Sequence, residues 1–254
     1  MWGAIVNKLI LNKENLNKIE NLQKKYTRIT NFFPTFKIEN NFKVLFPEYK
    51  NWELYFGEIP ENYFRSLFVE ASFNTTINPI TWTTKEDWLY EQEYIFPWIN
   101  SQIDLNRLDK SIRDILGKVN EKNLFWQGIL FLDENENIDL EKWDILTIWG
   151  DSRYWFWKII LHEKKKISND EIKKERWLEL KWEKLSIDFK QNLKCFLEYK
   201  NEINFKWELE LIPEFNFQKN IPCTEEVKWF IRLGSKVNED FGNIKLNKWK
   251  IFLT

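Results

Sequence analysis

Hydrophobic residues recur with two different periods along this chain. Over residues 9–25, Leu9, Leu16, Ile19 and Leu22 return at roughly helical spacing, with Lys and Asn between them. That spacing predicts an N-terminal helix. A second helix is predicted from Ser101 to Leu116, where Leu105, Leu108, Ile112, Ile115 and Leu116 line one face. Ser101 stands at its cap with Asp104 three residues on, and Gly117 follows its end. Ser168 and Glu171 have capping-box spacing and mark the start of a third, short helix.

Elsewhere the period falls to two. Leu178, Leu180 and Trp182 alternate with Glu179, Lys181 and Glu183. Phe205, Trp207, Leu209 and Leu211 alternate with Lys206, Glu208 and Glu210, and Val227, Trp229, Ile231 and Leu233 alternate with Lys228 and Arg232. Such alternation describes strands with one buried and one wet face. Two continuous apolar runs, 145–149 and 154–161, are joined by Gly150-Asp151-Ser152 and predict a hairpin. A further strand is expected over Trp126–Leu132, before the turn-rich stretch 133–137. These patterns define a β-dominated α+β chain. An antiparallel sheet or sandwich is expected in the C-terminal half, and a few helices in the N-terminal half. The organisation expected is a mixed α/β lobe over residues 1–120 and a mainly antiparallel β lobe over 121–254, with room for one shared core.

Composition supports the β reading. The 254 residues include 15 Trp and 21 Phe, and Ala occurs only at Ala4 and Ala71. Aromatic residues favour strands, and Ala is the best helix former. The abundance of Lys, Asn, Ile and Phe also reflects an AT-rich coding sequence. With 43% hydrophobic and 30% charged residues, the chain has a globular composition. No run of about 18 apolar residues occurs, so no membrane helix is expected. The apolar start Met1–Val6 lacks the basic leader and cleavage site of a signal peptide. Two cysteines, Cys195 and Cys223, are too few for a disulfide framework. They are read as reduced, buried thiols in a cytoplasmic protein.

The net charge of −1 conceals segregation. Residues 1–30 carry six Lys and Arg against two Glu, residues 86–144 six against 14 acidic residues, and residues 164–185 eight against five. Two basic and aromatic clusters are the candidate nucleic-acid contacts: Lys24, Lys25 and Arg28 beside Tyr26, and Lys164, Lys165 and Lys166. Trp182, Trp207 and Trp229 fall on the inward phase of alternating strands and are assigned to the core. Trp149, Trp155 and Trp157 lie where aromatics occupy both faces of a strand, and are the candidate partner interface.

Motifs for chemistry are incomplete. Asp133-x-Asn135-x-Asn137-x-Asp139, with Asp144 following, mimics an EF-hand loop, but Ile138 replaces the glycine that its sharp turn needs. It is read as a polar hairpin loop, and no metal or other cofactor is expected. The seven glycines form no phosphate-binding loop. His162 is the single histidine, and no serine or cysteine is placed beside it by motif. The chain is read as binding rather than catalytic.

The run Asp144-Ile145-Leu146-Thr147-Ile148-Trp149-Gly150, followed by Trp155 to His162, resembles the core of a known family. That family is a small accessory subunit family of type III-D CRISPR effector complexes. Its core continues into alternating strands, as Arg176–Leu185 and Phe205–Leu211 do. The stretch from Arg232-Leu233-Gly234 to Phe241-Gly242-Asn243-Ile244 resembles a degenerate Gly-rich loop of repeat-associated RNA-binding folds, without its multiple glycines. The resemblance spans residues 144–246. It implies a non-catalytic structural subunit of an RNA-guided antiviral ribonucleoprotein, with other protein subunits as partners and guide RNA as a further candidate. It carries over no catalytic residue. The alternative is a Trp-rich carbohydrate-binding or other stand-alone protein-binding module.

Overall fold

A computed structural model describes residues 1–12, 25–77, 81, 84–133, 137–148, 158–176, 178–181, 184–187, 192–200, 203–216, 223–238 and 244–253. In chain order the first elements are α1 (Trp2–Asn12), β1 (Phe33–Ile38), β2 (Asn41–Val44), β3 (Pro47–Lys50), β4 (Glu53–Phe56), β5 (Ile59–Pro60) and α2 (Glu61–Phe68). Next come β6 (Val69–Ile77), β7 (Thr84–Ile95), α3 (Lys110–Leu116), β8 (Val119–Gln127), β9 (Ile145–Thr147), β10 (Lys158–Ile160) and α4 (Asn169–Arg176). The C-terminal strands are β11 (Leu178–Lys181), β12 (Lys184–Ile187), β13 (Phe196–Glu198), β14 (Phe205–Lys206), β15 (Leu209–Asn216), β16 (Cys223–Ile231), β17 (Lys236–Val237), β18 (Ile244–Asn247) and β19 (Lys250–Leu253). The protein is β-dominated, as the period-2 patterning requires.

The chain divides into two compact units that interleave in sequence, where two consecutive lobes were expected. One comprises Met1–Phe32, Pro47–Trp52 and Gly128–Thr254, and the other Phe33–Phe46 and Glu53–Gln127. In the second unit β1 lies between β2 and β8, and the long β6–β7 hairpin stands as its own two-stranded sheet. Phe36, Leu45, Phe64, Leu67, Phe68, Ile112 and Leu116 are among the residues of its core.

The first unit holds a seven-stranded sheet in the order β11-β12-β18-β19-β13-β16-β15. Its neighbours are antiparallel except β13 and β19, which run parallel. Leu178, Leu197, Ile231, Leu246 and Ile251 anchor the apolar core on this sheet. A further cluster joins Ile5 and Leu9 of α1 to Ile29, Leu140 and Leu146.

Several local expectations hold. α4 begins where the capping box placed it: Glu171 accepts from the Ser168 N–H at 2.8 Å, and the Glu171 N–H donates to Ser168 Oγ at 3.3 Å. The predicted strand pairs 145–149 and 154–161 meet as β9 and β10, with Thr147 opposite Lys158. The turn expected at Gly150-Asp151-Ser152 lies outside the described residues.

Others are corrected. The N-terminal helix runs from Trp2 to Asn12 rather than starting at residue 9, and residues 13–24 lie outside the described residues. The single helix expected over 101–116 is two pieces. Asp104, not Ser101, caps a 3-10 turn over Leu105–Arg107 by accepting from the Asn106 N–H. Leu108 is then extended, which sinks its side chain into the core, and α3 starts at Lys110. The strand expected over 126–132 lies earlier, at Val119–Gln127. At Gly128, just beyond it, a Cβ would fall 2.3 Å from the Phe32 ring.

Gly234 has φ +85°, and a Cβ there would lie 3.1–3.2 Å from the backbone of Pro47 and Glu48. Gly234→Ala is therefore expected to destabilise the protein by at least the left-handed backbone cost of about 1–2 kcal/mol. Thermal or urea unfolding of the variant checks this.

Candidate interaction surface

β15 and β16 form a ribbon at one end of the seven-stranded sheet, with β15 as the edge strand. Leu209 stands opposite Ile231, Leu211 opposite Trp229 and Pro213 opposite Val227. Directly opposed residues share a face, so these six side chains form one uncharged surface. Its inner end is core, because Ile231 is wholly buried. Moving outward the cover ends: Leu209 is 36% exposed, Leu211 48%, Trp229 49% and Val227 50%. The ribbon therefore carries the inward apolar pattern beyond the core it serves. Contiguous apolar surface of this kind marks interaction sites on proteins.

The opposite face of the ribbon holds its charges, and they are paired. Glu210 lies opposite Phe230, Ile212 opposite Lys228 and Glu214 opposite Glu226. The like-charged Glu214–Glu226 pair would be unfavourable alone. Lys250 Nζ relieves it by donating to Glu214 at 3.0 Å, and Lys228 lies 3.2 Å from Glu226 and 3.5 Å from Glu198. Lys250 is nearly buried and also stands 5.2 Å over the ring of Phe230. Its hydrogen bond and charge hold the Glu214 carboxyl below the usual glutamate range.

The open edge of β15 is blunted. Glu208 accepts from the Arg232 N–H, so its backbone faces β16. By antiparallel alternation the backbones of Leu209, Leu211 and Pro213 face outward. Pro213 has no N–H, which interrupts the row of donors a further strand would need. The apolar face is thus better suited to docking than the edge.

Beside the ribbon lies an aromatic cluster that the sequence did not point to. Tyr49 stacks on Trp207, with ring centroids 5.3 Å apart and planes at 14°. Trp52 meets Trp207 edge to face at 5.0 Å and 82°. The Tyr49 hydroxyl donates to Glu208 Oε2 at 2.7 Å. Arg232 also donates to that carboxylate, and lies 3.6 Å from Glu210. The Tyr49 hydrogen bond, reinforced by Arg232, lowers the Glu208 pKa despite partial burial. The Trp207 indole nitrogen is buried and unpaired, so stacking rather than hydrogen bonding sets that ring's position.

Four of the seven non-glycine residues with positive φ among the described residues are tryptophans: Trp52, Trp143, Trp207 and Trp249. Bulky residues rarely adopt this backbone, and each instance costs on the order of 1–3 kcal/mol. Local contacts offset it for three of them. In the β18–β19 turn, Lys248 and Trp249 donate their N–H groups to Thr27 and Ile29 at 2.7 and 2.8 Å. Trp207 has its stack on Tyr49. Trp143 donates its N–H to Leu161 at 2.7 Å; its ring is 63% exposed, with Lys142 4.9 Å over it and His162 edge-on at 6.0 Å. Trp52 is 88% exposed.

The residues singled out by sequence have several outcomes. Lys24, Trp149, Trp155, Trp157 and Trp182 lie outside the described residues. Lys25 is exposed, with its ammonium 5.6 Å from the centre of the Tyr26 ring. Arg28 pairs with Asp133 of the EF-hand-like string. Lys164 donates to the carbonyls of Ile138 and Leu140 at 3.0 and 2.8 Å, so it ties down that same string. Lys165 and Lys166 are exposed. Asp144, the last residue of the string, accepts from the Glu141 N–H and pairs with Lys8 at 3.0 Å. The backbone hydrogen bond from Glu141, then Lys8, lowers its pKa. Cys195 is buried and forms no disulfide. Trp229 is not in the core as expected, because the ribbon outruns the sheet's apolar cover. Trp207 is only partly buried, because the chain turns at φ +107° there and ends the alternation of β14.

No family model and no curated protein matches this chain. Its fold is similar to that of a chain in the cryo-EM structure of the type III-B Cmr-beta bound to cognate target RNA and AMPPnP, state 1. The two are 14% identical over 93% of this chain and 76% of that chain, with a TM-score of 0.51. A chain of the type III-B Cmr-beta bound to cognate target RNA aligns over 92% of this chain and 74% of its own, at 14% identity and a TM-score of 0.49. Among the described residues no helix is long and apolar enough to cross a membrane.

The Lys250–Glu214 pair gives a direct test of the ribbon. Lys250→Met is expected to cost about 1–3 kcal/mol, because it leaves Glu214 facing Glu226 without its donor. Adding Glu214→Gln is expected to recover much of that loss in a double-mutant cycle. Because folding lowers the Glu214 pKa, its contribution is full above the unfolded glutamate range near pH 4.3. It falls away as pH drops through the folded value. Glu214→Gln should therefore flatten the acid limb of a stability-versus-pH curve measured by urea unfolding.

Proposed function

We propose that this chain is a non-catalytic assembly subunit of an RNA-guided antiviral ribonucleoprotein of the type III CRISPR class. It docks on protein neighbours through the bare apolar face of the β15–β16 ribbon. The observation that carries this reading is that face: Leu209, Leu211, Val227 and Trp229, uncharged and 36–50% exposed on a ribbon whose charges are paired on its other side. Covering the exposed part of each such side chain contributes about 1 kcal/mol. An uncharged face has nothing to offer a phosphate backbone, so protein is its partner.

The class is supported by the fold's similarity to a chain of the RNA-bound type III-B Cmr-beta and by the resemblance over residues 144–246. That resemblance names the III-D type within the class. Guide RNA is a second contact in this reading, with exposed Lys25, Lys165 and Lys166 as the candidates.

The test is purification of tagged chain from its native cell. Other protein subunits and RNA are expected to accompany it at stoichiometric levels. Trp229→Asp combined with Leu211→Asp should remove the protein neighbours while leaving the far-ultraviolet circular dichroism and unfolding midpoint of the isolated chain nearly unchanged. Recovery of a clean monomer without nucleic acid from native lysate would sink the proposal. Quenching of tryptophan fluorescence by oligosaccharides, insensitive to salt, would favour a carbohydrate-binding module instead.

A further inference from the structure

Trp52 combines two costs that its edge-to-face contact with Trp207 offsets only in part. Its backbone is left-handed, at φ +70°, directly after Asn51 at φ +51°. These φ values are those of the two central residues of a type I′ turn, whose second position favours glycine. Its ring is 88% exposed, so burial returns little. A glycine would make this turn more cheaply. The indole is therefore placed for something other than packing.

Its neighbours define what it could hold. Trp52 and Trp207 meet nearly at right angles, 5.0 Å apart, and form an aromatic corner backed by Tyr49 on Trp207. Glu208 follows Trp207 in the chain and is bound by the Tyr49 hydroxyl. Glu208 and Glu210 share one guanidinium, that of Arg232. Among the described residues, these two carboxylates share the one guanidinium, which leaves a net negative charge near the Trp52–Trp207 pair. Cations are attracted to indole faces, and a nearby carboxylate reinforces the attraction. The same carboxylates repel phosphate, which disfavours a nucleotide at this corner.

We propose that the Trp52–Trp207 corner seats a basic side chain, arginine or lysine, of a protein partner. The site stands apart from the ribbon face. It takes a positively charged group on the aromatic surface, with Glu210 and Glu208 as the counter-charge.

The probe is a short arginine-containing peptide and its citrulline counterpart, which keeps the shape and loses the charge. Each is titrated into the full chain, with binding followed by calorimetry and by quenching of tryptophan fluorescence. The arginine peptide is expected to bind and the citrulline peptide to bind about tenfold more weakly or not at all. Trp52→Gly should lower the affinity by a similar factor, and Glu210→Gln by a few-fold. Because glycine suits this backbone, Trp52→Gly is expected to leave the unfolding midpoint unchanged or raise it. The proposal is overturned by unchanged arginine affinity in Trp52→Gly, by equal binding of the citrulline peptide, or by a marked fall in stability that shows the ring to be structural. Binding of single-stranded oligouridylate lost in Trp52→Gly would also overturn it and assign the corner to bases. Trp52→Gly should still capture protein neighbours through Trp229, so failure here and failure of the docking face are read separately.

Discussion

A slip of one residue between β15 and β16 would exchange the two faces of the ribbon, because strand side chains alternate with period two. In the observed register Leu209, Leu211, Pro213, Val227 and Trp229 share one face with buried Ile231. Phe230 and the paired charges share the other. Two anchors at the base of the ribbon hold that register. Ile231 is wholly buried in the main core, and Phe230 is pinned against Phe252 at 5.8 Å under Lys250. The ion pairs further out keep each carboxylate on the side where its cation lies. The apolar surface is thus exposed as a consequence of a register that the core and charges both enforce, rather than by loose packing.

The same economy governs the tryptophans. Among the described residues, Trp52, Trp98, Trp126, Trp143 and Trp229 stand exposed, so the sheets do not cover all of the tryptophan surface. The described structure places four on left-handed backbone, where a β-branched or aromatic residue is normally excluded. Trp249 and Trp207 are held by hydrogen bonds or stacking that the fold supplies. Trp52 and Trp143 are mostly in solvent. Trp143 donates its N–H to Leu161, so Trp52 is the position where backbone strain gives the sharper physical reason to look for a ligand.

Much of the β architecture was legible in the sequence, and the failures have specific causes. The alternations at 178–182, 205–211 and 227–233 fall largely in β11, β14, β15 and β16, although in the β15–β16 ribbon only the Ile231 end of the apolar face is buried. The Ser168–Glu171 box was readable because both partners are local. Trp229 was misassigned because alternation identifies which face is apolar, not how far the core extends beneath it. The helix over 101–116 was misjudged because Asp104 competes with Ser101 for the role of cap, and apolar spacing does not reveal which wins. The Asn51-Trp52 and Lys248-Trp249 turns were invisible because tryptophan stands where a turn normally shows glycine. The Tyr49–Trp207 stack joins residues far apart in sequence, and no short-range pattern could have found it.

Fold similarity and surface chemistry answer different questions. A TM-score of 0.51 at 14% identity establishes a shared architecture with a chain of the type III-B Cmr-beta. It does not establish a shared role, since one architecture hosts many functions. The class of assembly is drawn from that similarity, whereas the docking role rests on what this chain presents: an uncharged sheet face, and an aromatic corner bordered by carboxylates. Neither feature is a reaction centre, because neither brings a nucleophile and a base together. Both suit recognition of another protein, one by covering apolar area and the other by holding a cation. An apolar face gives affinity with little directionality, whereas a cation over indole fixes a point. Together they would allow a neighbour to be both held and oriented, which is what a subunit in a defined assembly requires.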